Sequence, residues 1–135
     1  MEKDLRILVV DDSATMRQLI GLTLRKIPGC RVTEAGNGVE AVARLGAGPF
    51  DLIVTDIKMP EMDGLELVRR LRGPLGLREI PIIVVTTKGE EDARDAGLRA
   101  GASAYLTKPL SGAHLVDLVH QWTAPAPVAG AVREG

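Results

Sequence analysis

The sequence predicts a doubly wound α/β domain built on one parallel sheet. Short apolar runs of strand length alternate with amphipathic segments of helix length up to about residue 122. The central run, residues 52–55, shows no alternation of polar and apolar residues, which is typical of a strand buried on both faces. Right-handed crossovers then place helices on both sides of the sheet. We expect five strands and five helices.

The first strand, residues 7–10, leads into an amphipathic helix of roughly four turns. Ser13 is placed to cap this helix, and Pro28 and Gly29 close it. Apolar residues recur at spacings of three and four, which predicts a buried face formed by Met16, Leu19, Ile20, Leu24 and Ile27.

The middle of the chain supplies two more strands and two more helices. Residues 31–35 form a more polar strand, which we place at an edge of the sheet. The helix after it begins at Asn37 and should bury Val39, Val42 and Ala43. The central strand ends on Asp56 and leads to a helix over about residues 64–72, with Leu65, Val68 and Leu71 inward.

The last part of the domain contains a helix that we expect to be the least firmly held. It follows the strand 82–85, spans about residues 90–100, and offers only small inward residues: Ala93, Ala96, Gly97 and Ala100. An interior glycine costs about 1 kcal/mol relative to alanine. Residues 104–107 form the fifth strand, and the final helix has Leu115, Leu118, Val119 and Trp122 in register.

Composition indicates a single soluble domain, with 135 residues, 45% apolar residues and a net charge of -1. The domain covers residues 1–122, and residues 123–135, rich in Ala, Pro and Gly, read as a flexible tail or linker. The charge is not basic enough to bind nucleic acid by charge alone. Cys30, the one cysteine, is expected to be a packing residue. Without a signal peptide or a membrane-length apolar run, we expect a cytoplasmic protein with no membrane association.

Polar residues follow the predicted strands where each one ends. Because the carboxyl ends of parallel strands meet at one edge of a sheet, these residues should form one site: Asp11, Asp12, Asp56, Thr86 and Lys108. Three neighbouring carboxylates repel one another, so a proton or a cation must join them. An all-oxygen site suits Mg²⁺ or Mn²⁺, and the His/Cys spacing of a zinc site is missing from the sequence.

The predicted site can accept a phosphoryl group. Together with a divalent cation, the three carboxylates and the Lys108 ammonium are formally neutral, so the metal and the ammonium can neutralise the incoming charge. Asp56 is the expected nucleophile, forming an aspartyl phosphate. Simpler roles remain open: a turn cap for Asp56, a helix cap for the Asp pair, a solvated charge for Lys108, and Thr87 in place of Thr86.

The sequence contains four motifs in this order: LVVDDS, DLIVTDIKMPEMDG, PIIVVTT and GASAYLTKP. Together they resemble the receiver domain of two-component response regulators. The opening DDSATMR is most similar to the chemotaxis, CheY-like branch. The resemblance covers about residues 5–122 and implies a flavodoxin-like sheet in the order 2-1-3-4-5.

The resemblance also implies a role for each site residue. Asp56 would be the phosphoacceptor, fed by the phosphohistidine of a histidine kinase that docks near residues 14–17. Mg²⁺ would be held by Asp12, Asp56 and the backbone carbonyl of Lys58, with Asp11 helping through water. Lys108 would pair with the phosphoryl group.

Three further residues would form the switch. Thr86 would hydrogen-bond the phosphoryl oxygen and move inward, and Tyr105 would turn from exposed to buried. Pro109 would follow a cis peptide. A downstream protein would bind the face formed by about residues 90–122. We expect a monomer that catalyses its own phosphorylation and dephosphorylation but is not an enzyme with a separate turnover substrate.

Alternative functions differ in sequence features. The chain could be the receiver of a larger hybrid kinase, or an interaction module that does not depend on phosphorylation. Phosphatases of the haloacid dehalogenase type also use an Asp nucleophile and Mg²⁺, but their DxDxT motif is replaced here by DDSAT.

Lys58 and Lys88 lie two residues beyond Asp56 and Thr86, positions that the resemblance places beside the path of the hydrolytic water. We hypothesise that one of them slows phosphate loss, against the alternative that both point into solvent.

Overall fold

The computed structural model describes residues 4–59 and 62–123. Its strands and helices alternate along the chain as β1 (Leu5–Val10), α1 (Ala14–Leu24), β2 (Cys30–Ala35), α2 (Gly38–Leu45), β3 (Leu52–Asp56), α3 (Gly64–Arg72), β4 (Ile82–Thr87), α4 (Glu91–Ala100), β5 (Ala104–Lys108) and α5 (Gly112–Thr123). All strand pairs are parallel, in the order β2-β1-β3-β4-β5. The predicted fold, the strand order and the edge position of β2 are confirmed. Residues 124–135 of the predicted tail lie outside the described residues.

Apolar side chains pack on both faces of the sheet. One cluster lies under α1 and α5 and includes Val9, Val54, Val85, Leu24 and Val119. The other lies under α2, α3 and α4 and includes Leu8, Ile53, Val84, Leu67 and Leu71. Burial on both faces explains why β3 has no polar alternation. Within the described residues, no helix is long and apolar enough to span a membrane.

The predicted face of α1 is partly wrong. Ser13 caps the helix as expected, accepting a hydrogen bond from the Met16 N–H at 3.2 Å. Ile20 and Leu24 are buried, but Leu19 is 51% exposed. Leu19 lies about 140° around the helix from Leu24, so a helix that faces the sheet with Ile20 and Leu24 turns Leu19 toward solvent. The helix ends at Leu24, and Ile27 is buried from the turn that follows.

The faces of α2 and α3 also differ from expectation. In α2, Val39 is 53% exposed and Ala43 is exposed, whereas Ala41 is fully buried. Val39 lies about 160° around the helix from Ala41, so a helix that faces the sheet with Ala41 turns Val39 toward solvent. In α3, Leu67 is buried beside Val68 and Leu71, and the predicted Leu65 is only partly buried.

Helix α4 buries very little side chain, as its sequence predicts. Gly97 is its one fully buried residue, and Ala93 and Ala100 are partly buried. A Cβ at Gly97 would lie 3.3 Å from Ile57 Cδ1, so the glycine brings the helix close to the structure beneath it. β4 continues beyond its predicted end at residue 85 and includes both Thr86 and Thr87.

Gly64, the first residue of α3, fixes the loop after Asp56. Its N–H donates to the Ile57 carbonyl at 2.9 Å, and a Cβ at this position would lie only 2.2 Å from the Asp56 carbonyl oxygen. No flexible side chain can move to relieve that contact, because the obstacle is backbone. A side chain here would push α3 away from the end of β3.

We therefore expect Gly64→Ala to destabilise the protein by about 3 kcal/mol, the upper end for overpacking. Urea unfolding measures the change. Gly112→Ala is the matched control, since Gly112 opens α5 but a Cβ there meets Thr23 Cγ2 at an ordinary 3.5 Å. The control should be neutral or slightly stabilising. Equal effects of the two substitutions would contradict the close-approach argument.

Candidate functional site

Three carboxylates meet at the carboxyl ends of β1 and β3. Asp11 and Asp12 follow β1, and Asp56 ends β3, which is the neighbouring strand in the sheet. One oxygen from each carboxylate lies within 4.8 Å of the others. Asp11 and Asp56 are only 1% and 6% exposed, whereas Asp12 is exposed. The structure thus brings together the three carboxylates that the sequence predicted as one cluster.

Lys108, the last residue of β5, reaches this cluster from the far edge of the sheet. Its Nζ lies 3.5 Å from Asp56 Oδ2 and 3.8 Å from Asp11 Oδ2. The Lys108–Pro109 peptide is cis, as the resemblance implies. One ammonium therefore faces both buried carboxylates, and Lys108 is more than a solvated surface charge.

Asp11 is held from two directions. Its Oδ1 accepts a hydrogen bond from the Ser13 N–H at 2.9 Å. Arg17 donates from Nη1 to the Asp11 carbonyl oxygen at 2.6 Å and from Nε to Glu34 Oε1 at 3.0 Å. Arg17 thereby ties α1, β2 and the acidic loop together. The sequence does not reveal this positioning role, because nothing in the linear pattern marks a contact between Arg17 and Glu34.

The comparison with known proteins agrees with this geometry. Residues 7–120 match the family described as response regulator receiver domain. The chain belongs to this family. The receiver domain is 43% identical over 108 residues to the chemotaxis protein CheY1 of Helicobacter pylori, covering 79% of this chain and 87% of that protein.

Solved structures show the same architecture. A response regulator from Chloroflexus aurantiacus superposes with a TM-score of 0.85 at 33% identity, over 91% of this chain and all (100%) of that one. The receiver domain of a signal transduction histidine kinase from Syntrophus aciditrophicus has a TM-score of 0.80 at 35% identity, over 88% of this chain and 89% of that one. The chain is thus similar both to a response regulator and to a receiver that is part of a kinase.

Burial and charge shift the acid equilibria of the receiver site. Burial, with the nearby Asp11 carboxylate adding to it, raises the pKa of Asp56 to about 6, while Lys108 and the backbone N–H groups of Lys58 and Ile57 oppose the shift. Burial also raises the pKa of Asp11, against the Ser13 N–H and Lys108. Holding both carboxylates ionised therefore costs free energy that one lysine only partly offsets.

The donor set fits a hard divalent cation. Asp11 Oδ2 is buried and has no hydrogen-bond partner among the described residues, although a buried carboxylate oxygen normally has one. The three carboxylates offer only oxygen ligands, which Mg²⁺ and Mn²⁺ prefer. The exposed Asp12 leaves one side of the cluster open to solvent. A cation here would meet both the charge and the unsatisfied oxygen.

The threonines near the site differ in their surroundings. Thr86 is 2% exposed, and its hydroxyl donates to the Leu106 carbonyl at a long 3.4 Å, whereas Thr87 is exposed. Thr86 lies one register position beyond Val85, the partner of Asp56. Thr55 is buried and donates its hydroxyl to the Asp56 carbonyl at 2.9 Å.

The remaining candidates lie outside the carboxylate cluster. Tyr105 is 39% exposed, and the Arg94 guanidinium carbon lies 4.9 Å from its ring centroid. This cation–π contact holds the ring at the surface. The side chains of Lys58 and Lys88 are both exposed, and within the described part of the chain neither ammonium pairs with the three carboxylates. Their predicted influence on the site stays a prediction.

We expect Asp56→Asn to stabilise the metal-free protein at high pH. The pKa of Asp56 is about 6 in the folded chain and about 4 in the unfolded chain, so the folded chain binds the proton more tightly. Stability is therefore lost as the pH rises through this interval, and the substitution should restore on the order of 2 kcal/mol at pH 8 and almost nothing at pH 4.

Urea unfolding in EDTA at both pH values measures this difference. Asp117→Asn, at an exposed position of α5, is the matched control and should be neutral at both. Saturating Mg²⁺ should stabilise the parent more than the Asp56 variant. A stabilisation of the same size at both pH values would show that the ionised carboxylate is not the cause.

Proposed function

We propose that this receiver domain is a phosphorylation-dependent switch in which Asp56 accepts a phosphoryl group from the phosphohistidine of a histidine kinase. The observation that supports this most strongly is the arrangement of Asp56 itself. It is a buried carboxylate with an ammonium 3.5 Å away and two further carboxylates that can hold a cation. An incoming phosphoryl group carries negative charge, and the Lys108 ammonium together with a bound cation would neutralise it.

The transfer balances without an additional reactant. An Asp56 carboxylate oxygen attacks phosphorus in line as the P–N bond of the phosphohistidine breaks, and the imidazole leaves with the electron pair and takes up a proton. Asp11, Asp12, Asp56 and the Lys58 backbone carbonyl would hold Mg²⁺, which neutralises charge on the transferring group. Lys108 remains beside the new aspartyl phosphate and pairs with its oxygens.

The output of the switch is a change in a protein-binding face over about residues 90–122. A cavity of about 640 Å³ lies between α4, β5 and α5, lined by Leu98, Tyr105, Pro109, Ser111 and His114 among others. Thr86 moves toward the phosphoryl group, and Tyr105 leaves Arg94 and turns inward. The shallow packing of α4 lets this region rearrange at low cost, since poorly anchored segments supply the second state of a switch.

The relatives named as chemotaxis proteins favour a chemotaxis or motility pathway for this domain. In that pathway it would act as a cytoplasmic monomer on a downstream protein. A second candidate is a receiver that belongs to a larger hybrid kinase. That reading is favoured by its similarity to the receiver domain of a histidine kinase from Syntrophus aciditrophicus. Both readings use the same Asp56 chemistry.

Intact-protein mass spectrometry after incubation with acetyl phosphate tests the proposed chemistry. We expect one added phosphate on the parent in the presence of Mg²⁺, and none in EDTA or in Asp56→Asn. Asp117→Asn should be modified like the parent, because Asp117 is exposed on α5. A parent that stays unmodified while folded would contradict the proposal and favour a phosphorylation-independent interaction module.

We expect the double variant Lys58→Ala/Lys88→Ala to lose phosphate faster than the parent. An ammonium that pairs with the phosphoryl group and obstructs the attacking water would contribute about 1 kcal/mol to the barrier, which corresponds to a roughly fivefold change in rate. The decay of the phosphorylated mass after removal of the donor measures it. Lys26→Ala is the control, at an exposed position beyond α1. If the double variant decays no faster than the control, the lysines only face solvent.

A further inference from the structure

A second charged cleft lies at the amino end of the sheet, away from the carboxylate cluster. It has a volume of about 350 Å³, within the range of small-ligand pockets. Arg6 of β1, Arg31 of β2 and Arg44 of α2 line it, together with Thr33 and Phe50. None of these residues has a part in the phosphoryl-transfer chemistry.

The sheet places two of these arginines side by side. Arg6 and Arg31 are direct partners in the register of β1 with β2, and both line the same cleft. Like charges directly opposite each other in a sheet repel and are destabilising. Arg44, in the last turn of α2, adds a third positive charge at the same cleft. This concentration of guanidinium groups favours an anion at this position.

Three acceptors lie beside these arginines without occupying the cleft. Asp51 Oδ2 accepts a hydrogen bond from the Arg6 backbone N–H at 2.8 Å, while the Arg6 side chain lines the cleft. Asp4 Oδ2 lies 2.8 Å from Arg31 Nε, but the two side chains are 55% and 68% exposed, and such surface pairs contribute little. Arg44 Nε donates to the Glu34 carbonyl at 3.2 Å, which orients the side chain and uses one of its five N–H donors. Guanidinium groups bind phosphate oxygens in a bidentate manner through charge-assisted hydrogen bonds.

An aromatic ring lies beside the positive charge. Phe50 is the one phenylalanine in the sequence, and it lines the cleft while half-buried against the apolar cluster under α2 and α3. Flat heterocycles stack on aromatic rings and on guanidinium planes. We propose that this cleft binds a nucleoside phosphate, with its phosphate on Arg6, Arg31 and Arg44 and its base against Phe50.

Calorimetric titration of the full chain with guanosine 5′-monophosphate and adenosine 5′-monophosphate tests the proposal. We expect a dissociation constant between about 10 µM and 1 mM for at least one of them, a range suited to a shallow site. Arg6→Gln, Arg31→Gln and Arg44→Gln should each weaken binding about tenfold, as expected for the loss of a charge-assisted hydrogen bond. Arg69→Gln, which removes an exposed arginine of α3, is the matched control and should bind like the parent.

Two further probes separate the phosphate from the base. Inorganic phosphate should bind at least about tenfold more weakly than the nucleotide, and Phe50→Leu should weaken only the nucleotide. Equal affinity for phosphate and nucleotide would overturn the nucleotide assignment. No heat of binding up to about 5 mM, or binding that the arginine variants leave unchanged while thermal unfolding shows them folded, would overturn the site itself. Asp56→Asn should bind the nucleotide normally, so failure here is independent of the phosphoacceptor chemistry.

Discussion

The repulsion between two buried carboxylates is the constraint on which the rest of the site depends. Asp11 and Asp56 lie at the ends of adjacent strands with almost no exposure to water. Burial is the largest cause of the raised pKa of both groups, and a neighbouring carboxylate adds to it: Asp11 beside Asp56, and Asp12 beside Asp11. Lys108, the Ser13 N–H and the backbone N–H groups after β3 only partly compensate. The site is therefore poised to gain free energy from a cation.

The surrounding fold holds this unfavourable arrangement in place. β1, β3 and β4 are buried on both faces, so they cannot move apart to relieve the repulsion. Gly64 and Arg17 fix the two loops that follow the acidic strand ends. By contrast, α4 is weakly packed and lies next to β5, whose last residue is Lys108. The proposed switch requires both properties: rigid strands that hold the charges, and a weakly packed helix that can change position.

Strand positions and strand-end residues were predictable from sequence, whereas helix faces and loop contacts were not. A strand such as β3, buried on both faces, is an unbroken apolar run, and its end on Asp56 is visible directly. The predicted inward faces of α1, α2 and α5 are wrong at Leu19, Val39 and Trp122, which are exposed. Tertiary packing sets the rotation of each helix against the sheet, and local spacing does not encode that rotation. The contacts of Arg17 with Glu34 and of Thr55 with the Asp56 carbonyl depend on three-dimensional geometry that no local spacing encodes.

The two ends of the sheet follow one physical rule with opposite signs. Strand register brings Asp11 beside Asp56 at the carboxyl end and Arg6 beside Arg31 at the amino end, although each pair is distant in sequence. In both places the backbone pairing is fixed by core packing, so the side chains cannot escape their like-charged neighbours. A counter-charge would recover free energy in both places: Lys108 and a cation at one end, and the proposed anion at the other. The net charge of the protein is only -1, yet strand register concentrates negative charge at one end of the sheet and positive charge at the other.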